Sequence, residues 1–134
     1  MSIKNYINNS KIRLNKVNAN TISFTENDDR ELIYYDGLDI NIKENILDIN
    51  YKRNVGFNTN DIFKIEVEYI ITWEIKSGKL KEINDVLNHI TKEDRNYLIG
   101  QSPFEASLLV SQITKALDFA PLITPPIFID KNTL

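Results

Sequence analysis

Chemistry at neutral pH needs an acid, a base or a nucleophile held beside a partner, and this chain offers few such groups. His89 is the only histidine and cysteine is absent. No Ser/His/Asp arrangement can be assembled, and a cysteine nucleophile, a disulfide scaffold and a thiolate metal site are excluded. Glu66 and Glu68 stand two apart, so both carboxylates fall on one side of a strand and could share a cation. With Lys64 beside them, a solvated sheet face is the simpler reading. Asp28-Asp29 and Glu93-Asp94 are adjacent pairs in a loop and at a helix start, where solvation and the helix dipole account for them. Gly37, Gly56, Gly78 and Gly100 each stand alone, so there is no phosphate-cradling loop. No catalytic residue, metal or cofactor is nominated, and the chain is expected not to be an enzyme. A small enzyme built from scattered carboxylates is the least favoured reading, to be recognised by a ligand or metal between Glu66 and Glu68.

The wider composition narrows the class. With 134 residues, a single domain spanning 1–134 is expected, long enough to bury a core without disulfides or metal. The formal charge of −3 is spread along the chain, which leaves no basic stripe for nucleic acid. No apolar run approaches the roughly eighteen residues of a membrane span, and the N-terminus lacks a signal-peptide core. A cytoplasmic protein without membrane insertion is expected, and the lack of cysteine fits a reducing compartment.

The elements that must carry any site can be read from periodicity. Residues 1–10 read as a loosely ordered start. Ile12 and Leu14 begin an alternation that slips to Val17 and resumes at Ile22 and Phe24, as in a long, bulged first strand. Residues 26–37 read as the connection to the next strand, with a charged stretch, then LIYY, then an Asp36-Gly37 turn signal. Four consecutive apolar or aromatic residues, Leu32, Ile33, Tyr34 and Tyr35, cannot all face one core, so some should be exposed or touch another chain. Leu38, Ile40 and Ile42 alternate in a second strand. A third carries Leu47, Ile49, Tyr51, Val55 and Phe57 on one side, with only Arg53 out of pattern. The clearest strand has Phe63, Ile65, Val67, Tyr69, Ile71, Trp73 and Ile75 on one face and mostly charge on the other.

Helices come after the strands. Leu80, Ile83, Leu87 and Ile90 mark the first, and Thr91 with Asp94 starts a second. The main helix is expected over 102–118, with Ser102 as N-cap, Pro103 at the first position and Glu105 closing a capping box. Its apolar stripe of Phe104, Leu108, Leu109, Ile113, Ala116 and Leu117 should face a partner surface. Pro121 ends it, and the Pro125-Pro126 pair predicts an extended edge or ordered coil over 122–129. Four strands and then helices predict an α+β domain, a four-stranded antiparallel sheet with helices on one face.

The order of these features resembles the SecB-like family, the bacterial protein-export chaperone SecB and its relatives. NANTISFTEN (18–27) resembles the family's first strand around its Ile-Ser-Phe core, here Ile22, Ser23 and Phe24. FKIEVEYIITWEI (63–75) resembles its fourth strand. SPFEASLLVSQITKALDFAPLITPPIFID (102–130) is similar to its helix and Pro-rich segment. The resemblance covers nearly the whole chain. It implies a sheet-and-helix subunit that pairs into dimers and tetramers and holds unfolded client protein in apolar grooves, with one wall supplied by the connection after the first strand. Leu32, Ile33, Tyr34 and Tyr35 then fall where client contacts are expected; the bland alternative is a dimer contact or a tucked loop.

Three departures weigh against SecA docking. Thr21 and Thr25 stand where the exporters carry acidic residues. Lys64 stands at the family's apolar docking position, although Glu66 matches its acidic partner. The chain also ends at Leu134, before the family's last helix and metal-binding tail. Lys64 and Glu66 remain the expected partner-docking positions. The resulting expectation is an ATP-independent holding chaperone, assembled as a homo-oligomer, with a dedicated client such as the antitoxin of a toxin-antitoxin operon favoured over general export. The alternative is a non-chaperone interaction protein, of immunity or phage-associated type, binding one folded partner on the same scaffold.

Overall fold

The computed structural model describes residues 2–23 and 29–131. A 3-10 turn over Ile3–Asn5 precedes four strands, β1 (Ile7–Ile22), β2 (Leu32–Lys43), β3 (Ile46–Phe57) and β4 (Ile62–Ile75). Three helices come next, α1 (Leu80–Asn88), α2 (Lys92–Ile99) and α3 (Ser102–Ala116). The sheet is antiparallel in the order β1-β4-β3-β2. The α+β architecture expected from the sequence is the one observed.

Period-two patterning decides the layers. The odd residues of β3 and β4, from Leu47 to Val55 and from Phe63 to Ile75, are buried beneath the helices, Trp73 only in part, together with Ile83, Leu98, Ile99, Ala106 and Val110. The even residues form a second face, which none of the helices among the described residues covers. β2 runs in unbroken register with β3, pairing Leu32 with Phe57 and Lys43 with Ile46. Its residues Leu32, Tyr34, Leu38, Ile40 and Ile42 pack toward the core. β1 carries register shifts between Asn8 and Lys11 and between Leu14 and Lys16. The second shift is the slip from Leu14 to Val17. The later change at Ile22 needs no bulge, since the register runs unbroken from Lys16 to Ile22, which pairs with Ile62. Phe24 and Thr25 lie outside the described residues.

The start of the chain is not loosely held. Ile3, Tyr6 and Ile7 are buried. The Ile3 amide donates to Asp94 Oδ1 at 3.2 Å, and the Lys76 amide donates to the Tyr6 carbonyl at 2.8 Å. Isolated apolar residues in a polar stretch were enough to anchor it, because each falls on a site where it can be fully buried. Asp94 is correspondingly more than a dipole-complementing surface acid. Thr91 caps α2 as expected, its Oγ1 accepting from the Asp94 amide at 3.1 Å. Thr91→Ala should cost about 1 kcal/mol, read as a lowered midpoint in urea unfolding.

The start of α3 departs from the expected capping box. Ser102 is already helical, its hydroxyl donates to the Ile99 carbonyl, and Gln101 occupies the cap position without a side-chain bond. The short α2–α3 link explains this, since Ile99 lies only three residues back and its carbonyl takes the hydroxyl. The expected apolar stripe is divided, with Leu109, Ile113 and Leu117 packed against the core. α3 buries Pro103, Ala106, Ser107, Val110 and Thr114, while Phe104 and Leu108 remain 49% and 48% exposed. Small side chains let the helix approach closely, so Phe104 and Leu108 turn outward.

Candidate functional site

LIYYDG does not form a connection. Leu32 opens β2, and Asp36 and Gly37 continue it, paired with Arg53 and Lys52 rather than turning. The connection begins after Ile22 and ends before Leu32, with 24–28 outside the described residues. The strand alternation then divides the four expected client residues. Leu32 and Tyr34 lie against the core, and Ile33 and Tyr35 emerge on the uncovered face.

On that face Ile33 and Tyr35 line a depression of about 260 Å³ together with Asn54, Gly56, Lys64 and Glu66. The two expected client residues and both expected docking residues, far apart in sequence, thus share one site. Gly56 lies opposite Ile33 in the ladder, and the absent side chain forms part of the floor. Glu66 sits between two cations, 3.7 Å from Lys16 Nζ and 3.3 Å from Lys52 Nζ. Glu68 is nearly buried and accepts from Asn15 Nδ2 at 3.0 Å. The two carboxylates are therefore engaged separately rather than jointly aimed at a cation. Among the described residues no cluster of three or more His, Cys, Asp or Glu could hold a metal. Lys131 lies 4.9 Å from the Tyr35 ring centre, bringing the chain's last described residue to the rim. The site offers apolar area, an aromatic ring and mixed charge.

Behind the same strand lies a polar node that the sequence reading missed. Arg53, out of pattern on an apolar face, is 0% exposed. Its Nε and Nη2 donate to Asp36 Oδ1 and Oδ2 at 2.8 and 2.9 Å, a bidentate pair. Its remaining donors reach Thr124 Oγ1 at 3.0 Å and the carbonyls of Pro125 and Ile127, both at 2.7 Å. Asp36 in turn accepts from the Ile129 amide, and its own amide donates to the Ile129 carbonyl, both at 2.8 Å. Burial works against the guanidinium charge, but Asp36 holds the Arg53 pKa above its ordinary value. Burial, with the Asp36 charge nearby, raises the Tyr51 phenol well above its usual range.

The node explains the tail. Prolines cannot donate, so 121–130 forms no regular ladder, yet it is an ordered coil as expected, its carbonyls collected by one arginine. A signal was present in the sequence. Arg53 stands on the buried side of its strand and needs an acid there, and Asp36 shares the core-facing parity of Leu38, Ile40 and Ile42. The Asp-Gly dipeptide, a good turn former, concealed it.

Further exposed apolar residues lie on β1 and on α3. Ile12, Leu14 and Val17 of the edge strand are exposed although they adjoin Ile71, Tyr69 and Val67 of β4. Glu105 of α3 lies close enough to Tyr69 for its charge, after burial, to raise the phenol's pKa. Phe104 and Leu108 of α3 are exposed as well. No helix in the structure is long and apolar enough to cross a membrane.

No family model matches this chain, and no curated protein matches it. Solved structures do. A Mycobacterium tuberculosis SecB-like chaperone, Rv1957, in complex with a ChAD peptide from the HigA1 antitoxin Rv1956, superposes with a TM-score of 0.61 over 92% of this chain and 91% of that one, at 10% identity. The fold is SecB-like.

Proposed function

We propose that this chain is a SecB-like, ATP-independent holding protein of the cytosol, which binds unfolded or partly folded client polypeptide and catalyses nothing. One observation carries the reading: the SecB-like sheet leaves a face uncovered, and Ile33 and Tyr35 make an apolar corner there beside Lys64 and Glu66. Apolar area gives affinity without strict sequence selection, and the flanking amides and charges tolerate many client backbones. The similar mycobacterial chaperone is complexed with an antitoxin peptide, which supports a peptide-type client and makes an antitoxin a reasonable dedicated one. Holding would act by mass action, lowering the concentration of free unfolded client. The exposed apolar residues of β1 and α3 are assigned to pairing of subunits into a closed homo-oligomer, a dimer or a tetramer.

The test separates the two faces of LIYYDG. A denatured, aggregation-prone protein diluted with a near-equimolar amount of this chain should scatter less light. Tyr35→Ser should remove most of that protection with the unfolding midpoint unchanged. Tyr34→Ser should instead cost about 1–2 kcal/mol of stability and leave protection intact at temperatures where the variant is folded. Full protection by a folded Tyr35→Ser variant would eliminate this face as the client site. Absence of protection by the wild type, with capture of a stoichiometric native partner, would favour the folded-partner reading.

A further inference from the structure

Residue type and backbone conformation disagree at Ile62, the first residue of β4. Its φ is +67°, and the Phe63 amide donates to the Asp61 carbonyl at 2.9 Å, so Ile62 stands at the centre of a γ-turn. Asn60, two residues earlier, also has a positive φ, +55°, but asparagine tolerates that conformation. A β-branched residue does not, and the γ-turn with positive φ is the strained form of this turn. The strain is local, since Ile62 already pairs with Ile22 and β4 runs on from it in register with β1.

Such a conformation persists only where its neighbours over-determine it. Upstream, Asp61 is buried. Its carboxylate accepts from Arg30 Nε at 3.0 Å, from Arg30 Nη2 and from the Thr59 hydroxyl. Asn58 fastens the same turn to the approach to β2, its Oδ1 accepting from the Glu31 amide at 2.8 Å and its Nδ2 donating to the Asp29 carbonyl at 3.0 Å. Downstream, the buried Phe63 ring lies 5.1 Å from that of Phe57 and 5.3 Å from that of Phe119. Phe57, Asn58, Asn60 and Phe63 all line the depression that holds Ile33 and Tyr35, whereas Ile62 itself does not.

We infer that the Arg30–Asp61 clasp and the strained turn at Ile62 form a conformational device, a sprung rim that keeps the depression in its binding shape. Arg30 and Asp61 are then positioning residues for the client. When the clasp opens, the backbone at Ile62 relaxes into the extended range of the rest of β4, Asn58 and Asn60 move with it, and the depression loses one end. The inference rests on the holding function proposed above and adds a means of regulating it: apparent affinity falls with the fraction of molecules whose rim is closed. Glycine at 62 would adopt the positive φ without strain, so the spring and the clasp can be separated by mutation.

The measurement is the amount of this chain needed to halve the aggregation of a denatured test protein, with the φ of Ile62 read from NMR backbone couplings. Asp61→Asn should raise that amount about fivefold or more, and should carry Ile62 out of the positive range. Asp61→Asn/Ile62→Gly should return to within about twofold of the wild type, because the closed rim no longer has strain to release. Ile62→Gly alone should protect as the wild type does. Ile62 packs partly against the core, so each variant is compared at temperatures where its urea unfolding shows it folded. Arg30→Gln opens the same clasp from the other side and serves if Asp61→Asn does not fold. Wild-type protection by folded Asp61→Asn, a positive φ retained in it, or a double variant as weak as the single one would overturn the device. Protection that survives with φ unmoved removes the device and leaves the holding function standing. A wild type that protects no client removes the holding function, and the rim's role with it.

Discussion

Arg53→Met should destabilise the domain by about 3–5 kcal/mol, the largest effect expected of a single substitution. Methionine fills much of the space but leaves Asp36 buried and without its cation, with only the Ile129 amide still donating to its carboxylate. The carbonyls of Pro125 and Ile127 lose their donor as well, and a buried acceptor without a partner is costly. Urea unfolding tracked by Trp73 fluorescence gives the stability. Protease cleavage within 120–131 should rise at the same time, because the node is what ties the tail to the sheet. Asp36→Leu in the Arg53→Met background should recover a good part of the loss, since removing both charges also removes the desolvation penalty. A single variant within about 1 kcal/mol of wild type would show that the tail is held by its apolar contacts instead, Phe128 against Tyr51 foremost.

Phe104→Asp/Leu108→Asp should convert the proposed homo-oligomer to a monomer while leaving each subunit folded. α3 packs on the sheet through Ala106, Ser107, Val110 and Thr114, so the outward residues contribute little to subunit stability, and a change within about 0.5 kcal/mol is expected for exposed positions. Ile12, Leu14 and Val17 on β1 are exposed as well, and an edge strand spanning Ile7–Ile22 is an invitation to association unless covered. Sedimentation at micromolar concentration decides the matter. A wild-type monomer would remove the assembly altogether, and an oligomer unaffected by the double variant would place the interface elsewhere.

Much of this architecture was legible in the sequence. Strict alternation from Phe63 to Ile75 defines β4 because a sheet with one wet face allows little else, and the regular spacing of Leu80, Ile83 and Leu87 defines α1 by the same logic at a different period. These are local signals, set by the direction in which consecutive side chains point. That Leu32, Ile33, Tyr34 and Tyr35 would not all face one core was also legible, but which of them turn away was not.

Tertiary structure decided the rest. The sequence alone could not say that Lys64 and Glu66 lie beside Ile33 and Tyr35, because that depends on the register of β2 on β3 and β3 on β4. Nor could it place Asp36, whose local preference for a turn is weak beside two charge-assisted bonds to a buried arginine. The face of α3 that meets the core was likewise decided by distance of approach, which set Ala106, Ser107 and Val110 beside Leu109 and Ile113 and left Phe104 and Leu108 outward. Patterning fixes which side of an element is wet in an isolated layer; pairing, register and the partners of buried charge are contacts between distant residues, and they appear only when the chain is folded.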